Sequence, residues 1–329
     1  MTDHVAVRGD ALGAPEDYDL VSFDPGMPGP GNVRFRIRAA AVNFVDVLVA
    51  SGRYQVKPPT PFIPGAECAG EVEAVGEGVT GLAPGDRVFT SRMGGGAFAT
   101  ASIARAEELI PYPDTLSFEE GATFKVSFTT AYLALVDRAG LKPGDTVLVL
   151  GAAGGVGHAA VQIAKALGAH VVASASTEEK RALVRTAGAD HVLDSRSATW
   201  RDDLKHVLDG KALDIVVDPV GGEATEPAFR SLGWRGRHLV IGFAGGSIPK
   251  IPTNLALVKG ISLVGVDIRQ FMLFEPDAAA RNIARLFDLH QQHGIKPHIG
   301  RQFALSDFAA AMNLAASGSC TGRIVLNMD

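Results

Sequence analysis

VLVLGAAGGVGHAAVQIAKALGAHVVASAS, residues 147–176, is the stretch that decides the fold. An apolar run leads into a cluster of glycines, the cluster opens an amphipathic helix candidate from Gly155 to Leu167, and a second apolar run starts at His170. Set against the pattern G-x-G-x-x-G, the three positions hold Ala152, Gly154 and Gly157, so alanine replaces the first glycine. The glycine pattern alone is weak, but a strand before it and a helix after it are the context it requires. Gly154 and Gly155 let the backbone approach a pyrophosphate closely. The free amides and positive end of the following helix then stabilise that anion, with Val156 in the same turn.

The same grammar extends in both directions. Strands are predicted at Thr146–Leu150, His170–Ala173, His191–Leu193, Leu213–Val217, His238–Ile241 and Ile261–Val266, with helical crossovers such as Glu178–Thr186 capped by Thr177. Six strands joined this way spell an α/β doubly wound parallel sheet, a Rossmann unit. The first third differs. Val33–Val42 begins with alternating charged and apolar residues, and Cys68–Val88 is broken by Gly76, Gly78, Gly81 and Pro84-Gly85, which reads as a β-rich domain. After Gln270 come a helix (Pro276–His290), a short apolar run (Phe303–Leu305), another helix and a last strand, Arg323–Leu326. That tail is too short for a domain of its own, so it is expected to return to the β-rich one. The predicted division is 1–122 with 268–329, and 123–267.

Composition sets limits on function. The 329 residues carry 31 Lys plus Arg and 36 Asp plus Glu, a net charge of −5 with no basic stripe, which disfavours nucleic-acid binding. Glycine numbers 38, well above the usual ~7%, and has no collagen-like period. Two cysteines, Cys68 and Cys320, build neither a disulfide framework nor a four-cysteine zinc lobe, so a reducing, cytoplasmic location is expected. MTDHVAVRGD at the start predicts no signal peptide, and the most apolar stretch, Val147–Leu167, is too interrupted for a membrane span.

At the end of the second predicted strand, Ala173-Ser174-Ala175-Ser176-Thr177, no acid is present to bind the ribose hydroxyls, while Lys180 and Arg181 follow on the next helix. Lys180 and Arg181 can therefore face a 2′-phosphate with positive charge, Ser174 and Ser176 are further cofactor-binding candidates, and NADPH is preferred over NADH. Lys180 and Arg181 also fit a solvated helix face beside Glu178 and Glu179. No G-x-S-x-G, Tyr-x-x-x-Lys or His-Glu-x-x-His is found. His290, His293 and His298 lack the spacing of a metal site. Hydride transfer needs few side chains, because the nicotinamide supplies the chemistry.

The segments AVNFVDVLVASGRY, PFIPGAECAGEVEAVGEGV, GAAGGVGHAAVQIAKALGA, GRHLVIGFAGGSIPKIPTNLALVKGISLVGV and TGRIVL together resemble the zinc-independent quinone oxidoreductases of the medium-chain dehydrogenase/reductase superfamily, in order and over nearly the whole chain. The resemblance implies a GroES-like catalytic domain, an inserted Rossmann domain, a cleft between them and usually a homodimer. It places Asn43 where zinc relatives have a cysteine ligand and Ala66 where they have a histidine ligand, and Ser91–Ala101 where they carry a structural zinc lobe. No zinc and no flavin are expected. It further implies that Asn43, Asp46 and Tyr54 line the substrate site and that Thr130 sits near the nicotinamide. Gly242, Phe243 and Ile268 would accompany the nicotinamide end. Capping, surface and packing roles remain open for the same side chains.

Three positions depart from the pattern: Ser195 replaces an aromatic near the adenosine, Gly318 replaces an arginine that helps hold the 2′-phosphate, and Val266–Phe271 replaces an aromatic and glycine segment. Arg269 in that segment is open to two readings, an anchor for an anionic substrate or a solvated loop residue. The expected activity is NADPH-dependent reduction of a quinone or an α,β-unsaturated carbonyl. An enoyl-thioester reductase and a non-catalytic dinucleotide-binding protein are the alternatives.

Overall fold

The computed structural model describes residues 4–55 and 57–328, so Met1–Asp3 of the signal-peptide reading lie outside it. Residues 1–125 with 296–329 form one compact unit, and residues 126–295 form a second.

In the first unit a hairpin pairs β1 (His4–Arg8) with β2 (Asp19–Phe23). The long strand β3 (Asn32–Val42) explains its own register. Val33, Phe35 and Ile37 are fully buried and alternate with Arg34, Arg36 and Arg38, after which Ala39–Ala41 are buried on both faces. α1 (Phe44–Ala50) follows directly, then β4 (Glu67–Val75), β5 (Arg87–Ser91), β6 (Ala101–Arg105), the two-residue β7 (Ile110–Pro111) and α2 (Phe118–Tyr132). From Val126 onward α2 belongs to the second unit, where it continues into a π-helical segment, Leu133–Arg138.

The second unit contains β8 (Thr146–Val149), α3 (Gly155–Ala166), β9 (His170–Ala175), α4 (Glu178–Thr186), β10 (His191–Asp194), α5 (Trp200–Leu208), β11 (Ile215–Asp218), α6 (Thr225–Ser231), β12 (Arg237–Val240), α7 (Asn254–Lys259), β13 (Ser262–Gly265), α8 (Ile268–Phe274) and α9 (Pro276–His293). Its six strands are all parallel, in the order β10-β9-β8-β11-β12-β13. The central strands are buried on both faces: Val147–Val149 and Ile215–Val217 have no exposed surface. The order reverses at β8, so the crevice for a ligand lies at its carboxyl end, where the glycine cluster sits.

The chain then returns to the first unit with β14 (Ile299–Ala304), α10 (Phe308–Ser317) and β15 (Arg323–Asn327). β15 pairs antiparallel with β3 and extends that sheet to β14-β15-β3-β4-β5-β7, with β6 also on β3. The return therefore begins near residue 296 rather than 268. A polar contact ties the last of the intervening helices, α9, to the second unit: Asn282 Nδ2 donates to Asp137 Oδ2 at 2.6 Å. Among the described residues no helix is long and apolar enough to cross a membrane.

Candidate functional site

In the first unit the end of β3 delivers Asn43 to the N-cap of α1. Its side chain is held at both ends. Arg323 Nη2 donates to Asn43 Oδ1 at 2.6 Å, and Asn43 Nδ2 donates to Glu67 Oε2 at 3.2 Å. A cation on the oxygen and a carboxylate on the nitrogen fix the amide in one orientation, because a flip would set like against like. Glu67 opens β4, is 1% exposed and lies 3.5 Å from Arg323 Nη2. Tyr54 is half-buried and packs on the apolar core of this unit, with no hydrogen bond among the described residues.

Asp46 departs from its expected cleft position. It is 4% exposed and both its oxygens are taken by backbone: Oδ2 accepts from Asn43 N at 2.7 Å and Oδ1 from Ala66 N at 2.9 Å. It is a positioning residue that ties the start of α1 to residue 66. Burial raises its pKa, the two amides lower it, and the neighbouring charge of Glu67 raises it again, giving about 7 against 3.8 for an ordinary Asp. The folded chain thus holds a proton that the unfolded chain releases above about pH 4. This group's contribution to stability is greatest at low pH and is lost as pH rises through 7, by up to about 1.4 kcal/mol per pH unit. Denaturant titrations at pH 5 and pH 8 should show the parent losing stability relative to Asp46→Asn. Parallel curves would refute the assignment.

Cys68, also on β4, is buried, and burial pushes its thiol up to about 12, so it is a packing residue and not a nucleophile. Lys125 near the end of this unit was not anticipated from sequence. It is 4% exposed, and burial lowers its ammonium to about 8 against the opposing pull of Glu67 and Glu108.

In the second unit the turn between β8 and α3 shows why alanine is tolerated at 152. The left-handed backbone belongs to Gly151, at φ +57, while Ala152 is buried with its amide bonded to Ser174 O at 3.0 Å. Gly154 caps α3 without a side chain, and the first amide to find a backbone acceptor is that of His158, bonded to Gly154 O at 2.8 Å. Gly155, Val156 and Gly157 therefore present N–H groups with no partner among the described residues, beside an exposed Gly154. A Cβ at Gly157 would stand 2.4 Å from Gly151 O, so the first turn of α3 and the β8–α3 turn touch backbone to backbone. This bare, close-packed turn fits a pyrophosphate.

β9 runs two residues past its predicted end, to Ala175, which moves the accessible end of the strand from Ser174 to Ser176. Ser174 is 2% exposed, so its hydroxyl is not presented as expected. Thr177 caps α4 by accepting from Lys180 N at 3.2 Å. Thr130 is buried on α2. Gly242 and the 41% exposed Phe243 follow β12, and Ile268 opens α8, where Asp267 accepts from the amides of Arg269 and Gln270.

Residues 155–284 match the family described as zinc-binding dehydrogenase, and residues 29–114 match the alcohol dehydrogenase GroES-like domain. The chain is 34% identical to a human protein named quinone oxidoreductase, over 98% of this chain and 97% of the relative. It belongs to the medium-chain dehydrogenase/reductase superfamily. A solved structure titled NAD-dependent alcohol dehydrogenase superposes on this superfamily member with a TM-score of 0.90 at 30% identity, covering 99% of this chain and all of the other. A mycobacterial protein complexed with NADPH superposes with a TM-score of 0.88 at 31% identity, with the same coverage. The protein is an oxidoreductase of that superfamily.

This medium-chain dehydrogenase/reductase also contains a buried hub that sequence reading missed. Asp218, at the end of β11 and 2% exposed, accepts from Val220 N (3.0 Å), Gly221 N (2.8 Å) and Thr225 Oγ1 (2.6 Å), and lies 3.0 Å from His238 Nε2. Burial alone would raise its pKa, but the bonds from His238, Thr225 and Gly221 outweigh it and hold the carboxyl below its usual range. The turn so fixed is bonded to the segment after β12, through Ala244 N to Pro219 O and Gly245 N to Val220 O. Of the departures, Gly318 has a backbone cause: it ends α10 at φ +62, where glycine is favoured. Arg269 is exposed, with Asp267 Oδ2 at 4.0 Å.

Proposed function

We propose that this chain is a nicotinamide-dependent reductase that uses NADPH in preference to NADH and reduces a quinone or another α,β-unsaturated carbonyl without a catalytic zinc. The observation that carries the reading is the Asn43 amide locked between Arg323 and Glu67. With its oxygen and one N–H committed, Asn43 offers its remaining N–H, a donor suited to the carbonyl oxygen of an acceptor. Positions 43 and 66, an engaged amide and an alanine, do not make a ligand set for the zinc that the family description names, and among the described residues no group of three His, Cys, Asp or Glu is placed to hold a metal ion.

The bound dihydronicotinamide supplies the hydride. The amides of Gly155, Val156 and Gly157 hold its pyrophosphate, Ser176 and Lys180 face the adenosine end, and Gly242, Phe243 and Ile268 belong to the nicotinamide end. Thr130 steadies the nicotinamide, and Tyr54 borders the acceptor. Scarcity of cysteine and the family resemblance support a cytoplasmic homodimer. Alcohol oxidation is not expected, since expelling hydride from an alkoxide without a Lewis acid forfeits several kcal/mol of charge stabilisation.

A steady-state matrix of NADPH and NADH against quinones, enones, enoyl thioesters and simple alcohols tests this. NADPH-driven turnover of quinones or enones is expected. Alcohol oxidation with stoichiometric zinc would refute the proposal. Saturation by crotonyl thioester far below the quinone range would make the chain a thioester reductase, and tight NADPH binding without turnover would make it a binding protein.

A further inference from the structure

The side chain of Arg181 is already engaged. Its guanidinium reaches over the carboxyl ends of β9 and β10. Nη1 lies 2.9 Å from Asp194 Oδ2 and 3.5 Å from Ala175 O, and Nε donates to Glu178 Oε2 at 3.0 Å. The side chain is 17% exposed, and Glu178 also binds Arg185 at 2.6 Å. In a doubly wound sheet the adenosine ribose sits at the end of the second strand, here Ala175–Ser176, and an arginine nearby receives a 2′-phosphate when there is one. Arg181 is in that neighbourhood with two of its donor groups already spent on carboxylates.

We propose that Asp194 limits the cofactor selectivity of this protein by holding Arg181 in an ion pair and so withholding it from the 2′-phosphate of NADPH. A 2′-phosphate approaching Arg181 must compete with Asp194 for Nη1 and also meets the negative charge of Asp194. The same carboxylate therefore withholds one attraction and adds one repulsion. Without it, Nη1 and Nη2 together form the planar fork that binds phosphate in two parallel hydrogen bonds. Selectivity is narrow by construction, and one acidic side chain limits it. The inference rests on the dinucleotide reading of the second unit and is independent of the acceptor.

The test uses 5′-AMP and 2′,5′-ADP, which differ only in the 2′-phosphate, titrated calorimetrically into the full-length protein. Asp194→Ala should tighten 2′,5′-ADP roughly five- to tenfold and leave 5′-AMP within about twofold. Arg181→Ala alone should weaken 2′,5′-ADP modestly, by clearly less than Lys180→Ala does, because Asp194 is then unpaired, and in the Asp194→Ala background it should erase most of the gain. Lys180→Ala should remove most of the parent's preference.

Asp194→Asn, which removes the charge and keeps a hydrogen-bonding oxygen, is read in place of Asp194→Ala if circular dichroism shows that the alanine variant is unfolded. An unchanged ratio in a folded Asp194 variant overturns the proposal. So does a loss in Arg181→Ala as large as that in Lys180→Ala, because Arg181 would then already hold the phosphate. If the parent binds neither nucleotide, the dinucleotide reading fails and takes this inference with it.

Discussion

Gly157→Val is expected to abolish measurable NADPH binding and to lower the thermal midpoint of the protein by about 5–10 °C. A Cβ at this position meets Gly151 O at 2.4 Å and Ala152 Cα at 2.8 Å. Both are backbone atoms in the turn that follows the buried strand β8 and have no rotamer by which to move aside. Overpacking of this kind costs roughly 1–3 kcal/mol, and a change of 1 kcal/mol moves the midpoint of a unit of this size by about 2–4 °C. The functional loss is larger than the stability loss, because α3 can relieve the clash only by moving off β8. That movement carries the unpaired amides of Gly155 and Val156 out of register with the pyrophosphate.

Gly154→Ala is the control: its Cβ would lie 3.3 Å from Gly151 O at an ordinary φ of −77°, so the fold should barely respond. Differential scanning fluorimetry and a nicotinamide fluorescence titration measure both effects. NADPH affinity within threefold of the parent in Gly157→Val would mean that the phosphate cradle lies elsewhere.

The contrast between 157 and 154 also shows what the sequence made legible. Local grammar was readable because it is carried by near neighbours: apolar runs at β8 and β11 buried on both faces, a glycine turn, and Thr177 capping the helix that starts one residue later. The six parallel strands and the return of the last strand to the first sheet follow from such signals. What was not legible depends on partners far apart in the chain or on the direction in which a long side chain turns. Lys180 and Arg181 are neighbours of like charge in the sequence, and only the fold shows that Arg181 is drawn to Asp194 across two strand ends.

Asp218 reads as the polar end of a strand, since His238 is twenty residues away and the two meet only through parallel pairing of β11 with β12. Asp46 falls between these cases. Its candidacy came from a family resemblance, and its place inside the unit, with both oxygens on amides, is invisible to any local pattern. The unit boundary shifted for the same reason, because the bond from Asn282 to Asp137 links helices 145 residues apart.

Arg323→Ala is expected to be among the most damaging single changes in the first unit. Arg323 and Asn43 are 280 residues apart, so the last strand supplies a cation to a site assembled from the third and fourth. Removing it leaves Glu67, 1% exposed, without the guanidinium 3.5 Å away. Breaking a buried pair from one side costs roughly 3–5 kcal/mol, and the lower end applies here because Lys125 also feels the charge of Glu67. Removing both partners should hurt less, so Glu67→Gln combined with Arg323→Ala should recover part of the loss, whereas two independent losses would simply add.

Activity separates this packing effect from the site effect. Once Oδ1 loses its cation, the Asn43 amide is held only through Nδ2 by Glu67, and the donor it offers to an acceptor oxygen is less firmly fixed. At a temperature where the variant remains folded, kcat should therefore fall at least about tenfold. The KM for NADPH should stay close to the parent value, because the phosphate cradle belongs to the other unit. Arg323→Lys should restore much of the stability and less of the rate, since an ammonium supplies the charge without the fork geometry. A variant with normal kcat and depressed stability would confine Arg323 to packing and remove the main support for Asn43 as the group that meets the acceptor.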